Sequence, residues 1–434
     1  MAGLSVTLNT ALQTLQNTQV EIQVASNNIS NASTPGYADE TALQTESPAV
    51  LTGLAWLGNG ATISQITSAR DQFLEQQLMN AMSDDSQYTS LSTELTSIQS
   101  ACSDSGDNGI SQALGNFFDS WSTLAQNPTG LSEQTGVYSA AQGLASAVKS
   151  TYNQLNQIAT QIPGQIQNTV SQANTLIDQI AQLNTAIEKS STPTCQANEL
   201  SDERYQAMDS LAQLIPVSFS QDPTTGMVNV NTTETGGQVA AVWGGMAFPI
   251  SAATFFTGGQ LGGLQTAQGN LGNYMNQLNT FTTALMSQVN KISEGNPPNA
   301  ALAVFTGAGA SSITASTTFL NGPTAAYLSS CAQAIGDLQD NQVSFSDGTT
   351  TTLEQYLSNI QQNVGDDVQQ ANNNQSFYNS LQTQLQTQEE SVSGVSTDQE
   401  MINVIQDQQI YEEAARVVET VSTLMNTITS MVAA

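Results

Sequence analysis

Apolar residues recur along this chain in narrow stripes with helical spacing. Leu8, Leu15, Ile22 and Ile29 stand seven apart, with Ala11, Thr18, Ala25 and Ala32 on the second seam position. Such a heptad stripe predicts one long helix. It stops at Asn31-Ala32-Ser33-Thr34-Pro35-Gly36, where Pro35 has no amide to donate and Gly36 permits a turn. At the other end Ile410, Ala414, Val417, Val421, Leu424, Ile428 and Met431 alternate steps of four and three. Thr397 with Glu400 reads as a capping box opening that helix.

The same rhythm returns in between. Tyr88, Leu91, Leu95, Ile98 and Cys102 form one stripe, and Val148, Thr151, Leu155, Ile158 and Ile162 another, which is expected to break at Pro163-Gly164. It restarts through Ile166, Ala173, Leu176, Ile180, Leu183 and Ile187. Leu271, Leu278, Leu285 and Ile292, with Tyr274 and Phe281 alongside, form a further stripe, and Leu353, Leu357, Ile360, Val364, Ala371, Tyr378, Leu381 and Leu385 the last. An isolated amphipathic helix gains little in water, so these stripes need partners and predict bundles of long helices.

Three regions depart from helical spacing. Residues 41–69 are Gly- and Thr-rich, with Gly58-Asn59-Gly60 as a turn between short extended pieces. In 216–257, Val217 and Phe219 alternate up to Asp222-Pro223-Thr224-Thr225-Gly226, and Val228 and Val230 alternate after it, which is a hairpin signal. Residues 295–350 read as loops with short strands. The expected fold class is therefore mainly α with a smaller inserted β domain, a long helical bundle or coiled-coil rod with paired N- and C-terminal helices. The expected domains are a terminal coiled coil of 1–35 plus 398–434, and a helical rod domain of 36–215 plus 264–397. A small β-rich outer domain of 216–263 completes them, with parts of 295–345 as a possible extension.

Composition narrows the function. The 434 residues carry 36 Asp and Glu against 6 Lys and Arg and no histidine, a formal charge of −30. Phosphate neutralisation needs a basic surplus, so nucleic acid is disfavoured as a partner, and an anionic membrane surface equally so. The absence of histidine removes the usual general base and the commonest metal ligand. Cys102, Cys195 and Cys331 are odd in number and far apart, giving no disulfide framework and no zinc site. No charged segment precedes an apolar stretch at the start, and no run of about 18 apolar residues exists, so neither an ordinary secretory signal nor a membrane span is expected. At an external pH near 4 the carboxylates would be largely neutral, and an acidic habitat is the expectation that follows.

Candidate chemistry is sparse. Adjacent carboxylates stand at Asp84-Asp85, Asp366-Asp367, Glu389-Glu390 and Glu412-Glu413. A glycosidase would need two across a cleft, but these fall on the polar sides of the stripes and read as solvated faces. Asp104-Ser105-Gly106-Asp107-Asn108-Gly109 lacks the ligands of a calcium loop, with Gly115 where the bidentate Glu belongs. Gly258-Gly259-Gln260-Leu261-Gly262-Gly263 fits no nucleotide fingerprint and reads as a turn into a helix at 264. Cys102 reads as a small buried hydrophobe. No cofactor, metal or catalytic residue is expected. Periodicity alone leaves the terminal stripes open between ordinary bundle helices and polymerisation surfaces.

Particular residues tip that balance. Ser26-Asn27-Asn28-Ile29-Ser30-Asn31-Ala32-Ser33-Thr34-Pro35-Gly36-Tyr37 resembles the N-terminal signature of bacterial flagellar rod, hook and hook-associated proteins. Ser393-Gly394-Val395, Glu400, Gln408-Gln409-Ile410-Tyr411 and Ala414-Ala415-Arg416-Val417-Val418 resemble their C-terminal signature. In the interior, Arg70-Asp71-Gln72-Phe73-Leu74, Asn116-Phe117-Phe118, Asn127-Pro128, Ala197-Asn198-Glu199-Leu200-Ser201-Asp202-Glu203-Arg204 and Gly259-Gln260-Leu261-Gly262-Gly263-Leu264 resemble the hook-associated members at the hook–filament junction. Two departures stand out: Ala38-Asp39-Glu40 where a basic residue usually follows the Pro-Gly-Tyr, and Asp407 where an aromatic is common.

The resemblance implies a structural, non-enzymatic subunit of the extracellular flagellum, exported without a cleaved signal through the type III channel. Its terminal helices would pair as a coiled coil lining the axial channel, mobile before assembly and ordered on docking. The implied assembly interface is Leu8, Leu15, Ile22, Ile29, Pro35, Gly36, Tyr37, Ile410, Tyr411, Val417, Val421, Leu424, Ile428 and Met431. The implied partners are a ring of identical subunits, the hook protein, the next junction protein toward the filament and an export chaperone. Another axial protein of the hook or rod is the alternative, and a cell-wall glycosidase a distant one.

Overall fold

The computed structural model describes residues 2–52, 55–103, 109–190, 197–234, 237–295, 297–320 and 324–433. In chain order the main elements are α1 (Ala2–Asn31), β1 (Glu40–Glu46), β2 (Val50–Thr52), β3 (Ala55–Leu57), β4 (Ala61–Ser68), α2 (Gln72–Cys102), α3 (Ile110–Gln126) and α4 (Leu131–Ser190). There follow α5 (Asn198–Leu214), β5 (Val217–Gln221), β6 (Val228–Glu234), β7 (Gly237–Trp243), β8 (Met246–Ala247), α6 (Gly259–Glu294), α7 (Ala325–Asp337), α8 (Leu353–Ser393) and α9 (Thr397–Ala433). The chain is mainly helical with small antiparallel sheets, as the stripes predict.

Two compact units divide it. One comprises Met1–Asp85, Val170–Gly259 and Phe377–Ala434, the other Ser86–Thr169 and Gln260–Ser376. The second unit is a helical body around an aromatic core. Phe117 meets Phe118 and Phe305, each at 5.4 Å between ring centroids, and Trp121 meets Phe319 at 5.7 Å. Phe117, Trp121, Leu124 and Phe281 are completely buried there. Their transfer out of water is the main source of this unit's stability.

The first unit holds the termini and the sheets. β1 and β4 pair antiparallel from Glu40↔Ser68 to Glu46↔Ala61, with a bulge at Leu43/Gln44. β5 to β8 form a four-stranded meander. Its first hairpin is the one read from sequence: Asp222 Oδ1 accepts from the Thr224 and Thr225 amides at 2.7 and 3.2 Å, fixing the turn. The sheet is tied to α4 and α5 by a buried polar knot. Asn184 Nδ2 donates to Val228 O and Gly244 O, each at 2.7 Å, and its Oδ1 accepts from Val228 N at 3.0 Å and from the Arg204 guanidinium at 3.1 Å. Arg204 also reaches Gly226 O at 2.8 Å.

Several expectations are corrected. α4 runs unbroken through Pro163, which sits exposed inside the helix. A proline costs its own amide hydrogen bond, but 60 residues with a buried face on both sides outweigh one lost bond. α7 lies within 295–350, where only loops and strands are expected. Leu328, Cys331, Ala332 and Ile335 form its buried stripe, and Thr324 caps it by accepting from the Tyr327 amide. α6 begins at Gly259 rather than 264. The cap of α9 is Ser396, whose carbonyl and hydroxyl accept from the Glu400 and Gln399 amides at 3.0 and 3.4 Å. Asp84, Asp85 and Glu389 are half-buried rather than fully solvated. Cys102 is half-buried too. Cys195 and most of the loop at 104–109 lie outside the described residues.

Candidate functional site

α1 and α9 pack against each other. Glu21, Val24 and Ala25 share a cavity with Glu400, Asn403 and Asp407, whereas Val6, Thr10 and Ala11 share one with Ile410, Ala414 and Val417. Rising numbers on one helix thus meet falling numbers on the other, and the two run antiparallel.

The seam that closes this pair is made mostly of small and polar side chains. On α1 it is Ala11, Thr18, Val24 and Ala25, and on α9 it is Glu400, Ala414 and Val421, all buried. Small side chains bring the helix axes close and push larger neighbours to the flanks. Leu8, Leu15, Ile22 and Ile29 are accordingly half-buried, as is Ile428. Ile410, Val417, Leu424 and Met431 are 45%, 40%, 48% and 74% exposed, and Tyr411 is exposed beside them. Of the large C-terminal residues that the periodicity marks, only Val421 is fully consumed by the intramolecular pair. The exposed ones form an apolar face along α9. The groove beside it, about 470 Å³, is also lined by Leu57 of β3. Val50, Leu51 and Trp56 of the same hairpin are exposed as well. Sequence reasoning missed this hairpin as surface. The clue was the charge-free run from Ser47 to Gly60.

The end of α1 is anchored by the residues of the N-terminal signature. Asn28 is fully buried. Its Nδ2 donates to Asp39 Oδ1 at 2.7 Å and to Glu40 O at 2.9 Å, and its Oδ1 accepts from Tyr37 Oη at 2.7 Å and Glu40 N at 3.1 Å. Pro35 and Gly36 are exposed, and Gly36 has φ +74°, a conformation that favours glycine. The Gln206 side-chain amide donates to Pro35 O. Asp39 N donates to Ser393 O at 2.8 Å, which joins the two chain ends through the Pro-Gly-Tyr turn.

Beneath that turn lies Arg70. Its guanidinium pairs with Glu75 at 2.6 Å and Asp202 at 3.0 Å, donates to Gly36 O, and lies 4.5 Å over the Tyr205 ring. A cavity of about 880 Å³ adjoins it, lined by Arg70, Glu75, Tyr205, Asp209 and Glu389. Burial first, and then nearby Glu75, push the Asp209 carboxyl up to about 8. Burial also raises the Glu389 carboxyl. Carboxylates outnumber the single guanidinium here, which fits a structural clamp rather than an acid–base pair across a substrate cleft. Among the described residues no group of three acidic, Cys or His side chains could hold a metal ion, and no helix is long and apolar enough to cross a membrane.

Known proteins match both ends of this chain and its interior. Residues 8–37 match the family model of the flagella basal body rod protein. Residues 387–431 match the flagellar basal body rod FlgEFG protein C-terminal model, and residues 95–255 match the flagellar hook-associated protein FlgK helical domain. Flagellar hook-associated protein 1 of Salmonella typhimurium (strain LT2) is 28% identical over 219 residues, covering 50% of this chain and 39% of that one. Its counterpart in Escherichia coli (strain K12) is 28% identical with 40% of its length covered, and that of Bacillus subtilis (strain 168) 24% identical with 45% covered. The matched segment thus spans less than half the length of these relatives. A solved structure of the flagellar hook junction protein FlgK from Burkholderia pseudomallei is 28% identical over 50% of this chain and 44% of that one, with a TM-score of 0.45.

Rod-protein models matched at both ends, with a hook-associated helical-domain model matched between them in the chain, make this chain similar to proteins of the bacterial flagellar axis. The interior match narrows the class. It is most specific for flagellar hook-associated protein 1, to whose listed relatives this chain is similar over half of its length.

Proposed function

We propose that this chain is a structural subunit of the junction between hook and filament, without catalysis, which joins copies of itself through the α1/α9 pair. The observation that carries the reading is the row Ile410, Val417, Leu424 and Met431. These side chains sit on a helix already paired within the chain, yet remain 40% exposed or more. An apolar row of that length on a partnered helix has a further mate. Leu8, Leu15, Ile22 and Ile29 on α1, with Tyr411 and the Trp56 hairpin, extend the same surface. Pro35, Gly36 and Tyr37 act at one remove, by fixing where α1 leaves the body. Heterologous contacts that close make a ring, which suits a one-layer junction. Its other faces would meet the hook protein on one side and the next junction protein on the other. An export chaperone would cover the terminal rows before delivery through the type III channel, and the assembled product is extracellular.

Val417→Asp with Leu424→Asp tests this. Both positions are exposed, so the monomer should fold with an unchanged melting curve. Cells carrying the pair of substitutions should secrete the subunit, show hooks without filaments and lose motility. Normal filaments in those cells would refute the reading.

A further inference from the structure

The inward seam of α9 steps by sevens: Glu400, Asp407, Ala414, Val421, Ile428. Its first two members are carboxylates, where the rest of the seam is apolar. Glu400 is only 8% exposed. With Asp407 it lines a small cavity of about 210 Å³ into which Glu21 of α1 and Glu40 of β1 also open. Asp39 stands next to Glu40 in the chain. Among the described residues the side chains that donate to this group are neutral. Asn403 Nδ2 donates to Glu400 at 3.1 Å, Asn198 Nδ2 to Glu40 at 2.8 Å, Asn28 Nδ2 to Asp39 at 2.7 Å, and Gln44 to Glu21. No cation of the described residues is placed against them. Arg70 is held by Glu75 and Asp202, and Arg416, the one basic residue of α9, is exposed nine positions beyond Asp407. Asp202 of α5, which accepts from the Ala38 amide at 3.5 Å, adds another negative charge from below, and Tyr37 contributes only a hydroxyl.

We propose that Asp39 and Asp407, crowded by the charges of Glu400, Glu40 and Glu21, make the α1/α9 pairing a proton-operated closure, shut in acid and loosened toward neutral pH. Like charges crowded around a half-buried carboxyl disfavour its ionised form, and separating the helices relieves the crowding. Burial, then Glu400 and Glu40, push Asp39 up to about 6, and burial with Glu21 and Glu400 raises Asp407. For a carboxyl whose value is raised in the closed form, the contribution to closure is fully present below its open-state value near 4. It is lost as pH rises through about 6. A shift of one unit at one such group changes the closure equilibrium about tenfold. The significance for assembly rests on the function proposed above, but the closure itself is a property of the single chain.

The experiment is a distance measurement between spin labels on the isolated full-length chain. Gln19 of α1 and Gln409 of α9, both exposed, are replaced by cysteine in a chain whose Cys102, Cys195 and Cys331 are serine. At pH 4 a single short, narrow distance is expected. By pH 8 a separated population should grow, with the closure constant reduced at least about tenfold. Glu400→Gln with Asp407→Asn should hold the short distance at both pH values. Glu412→Gln with Glu419→Gln, which removes the same charge from exposed positions of α9 a heptad apart, should leave the response intact. An unchanged distance in the unsubstituted chain would overturn the proposal. So would an undiminished response in the Glu400/Asp407 variant, or its loss in the Glu412/Glu419 variant. Because the readout is intramolecular, a closure that responds to pH in a chain that forms no junction would overturn the function while leaving this inference standing.

Discussion

Single side chains decide more here than their number suggests. Of six basic residues two, Arg70 and Arg204, have guanidiniums withdrawn from solvent, and each holds several segments together. Removing one partner from such a site strands the others without solvent. Asp209 beside Arg70 gives a pH signature of its own. Its value of about 8 lies above that of an unfolded carboxyl, so its contribution is complete below about pH 4 and is lost progressively as pH rises to about 8. Asp209→Asn should therefore flatten the fall in melting temperature between about pH 5 and pH 8, read by calorimetry in matched buffers. Asn184 is the other hub. Asn184→Ala would leave the Val228 amide and two carbonyls unsatisfied in the interior, at a cost of roughly 3 kcal/mol in urea unfolding.

At the scale of elements, the stripes and the Asp222–Gly226 turn are as the sequence predicts, but the breaks expected at Pro163 and at Gly258-Gly259 are not. The stripe through Leu155, Ile162, Ile166 and Ala173 is continuous in α4, because both flanks of Pro163 are buried and hold the helix through it. Pro163 itself is exposed, so its local penalty persists. Pro163→Ala should restore a main-chain hydrogen bond and stabilise the chain by about 1–3 kcal/mol, visible as a higher denaturation midpoint at constant slope. The early start of α6 has a different cause. Gly259 adopts φ +67°, and a Cβ there would come within 2.5 Å of the Leu214 and Ile215 backbone. The glycine pair at 258–259 thus looks like a turn in sequence but is a close approach in space. α7 had a legible stripe, hidden because Gly, Ala, Ser and Thr around it resemble loop composition.

For the whole molecule the net charge of −30 sets the terms on which copies meet. Like-charged subunits repel at long range, and salt shortens that range from about 30 Å at 0.01 M to about 8 Å at 0.15 M. Self-association at neutral pH should therefore accelerate over that interval, measured by light scattering, the reverse of a contact built on ion pairs. The charge-free run from Ser47 to Gly60 and the apolar row on α9 are where contact costs least electrostatic work.

The sequence by itself determined the mainly helical class, the hairpin at Asp222–Gly226, both terminal helices and the family signatures, because periodicity and turn chemistry are local. Which face of each terminal helix lies inward was settled only in three dimensions. A heptad stripe names the apolar positions, but Ala11, Thr18 and Ala25 close the pair instead of Leu8, Leu15 and Ile22, since close approach favours small side chains over large ones. The same packing draws Glu400 and Asp407 together with Glu21, Glu40 and Asp39 from three distant stretches of chain. Crowding of that kind depends on distances that no linear spacing records.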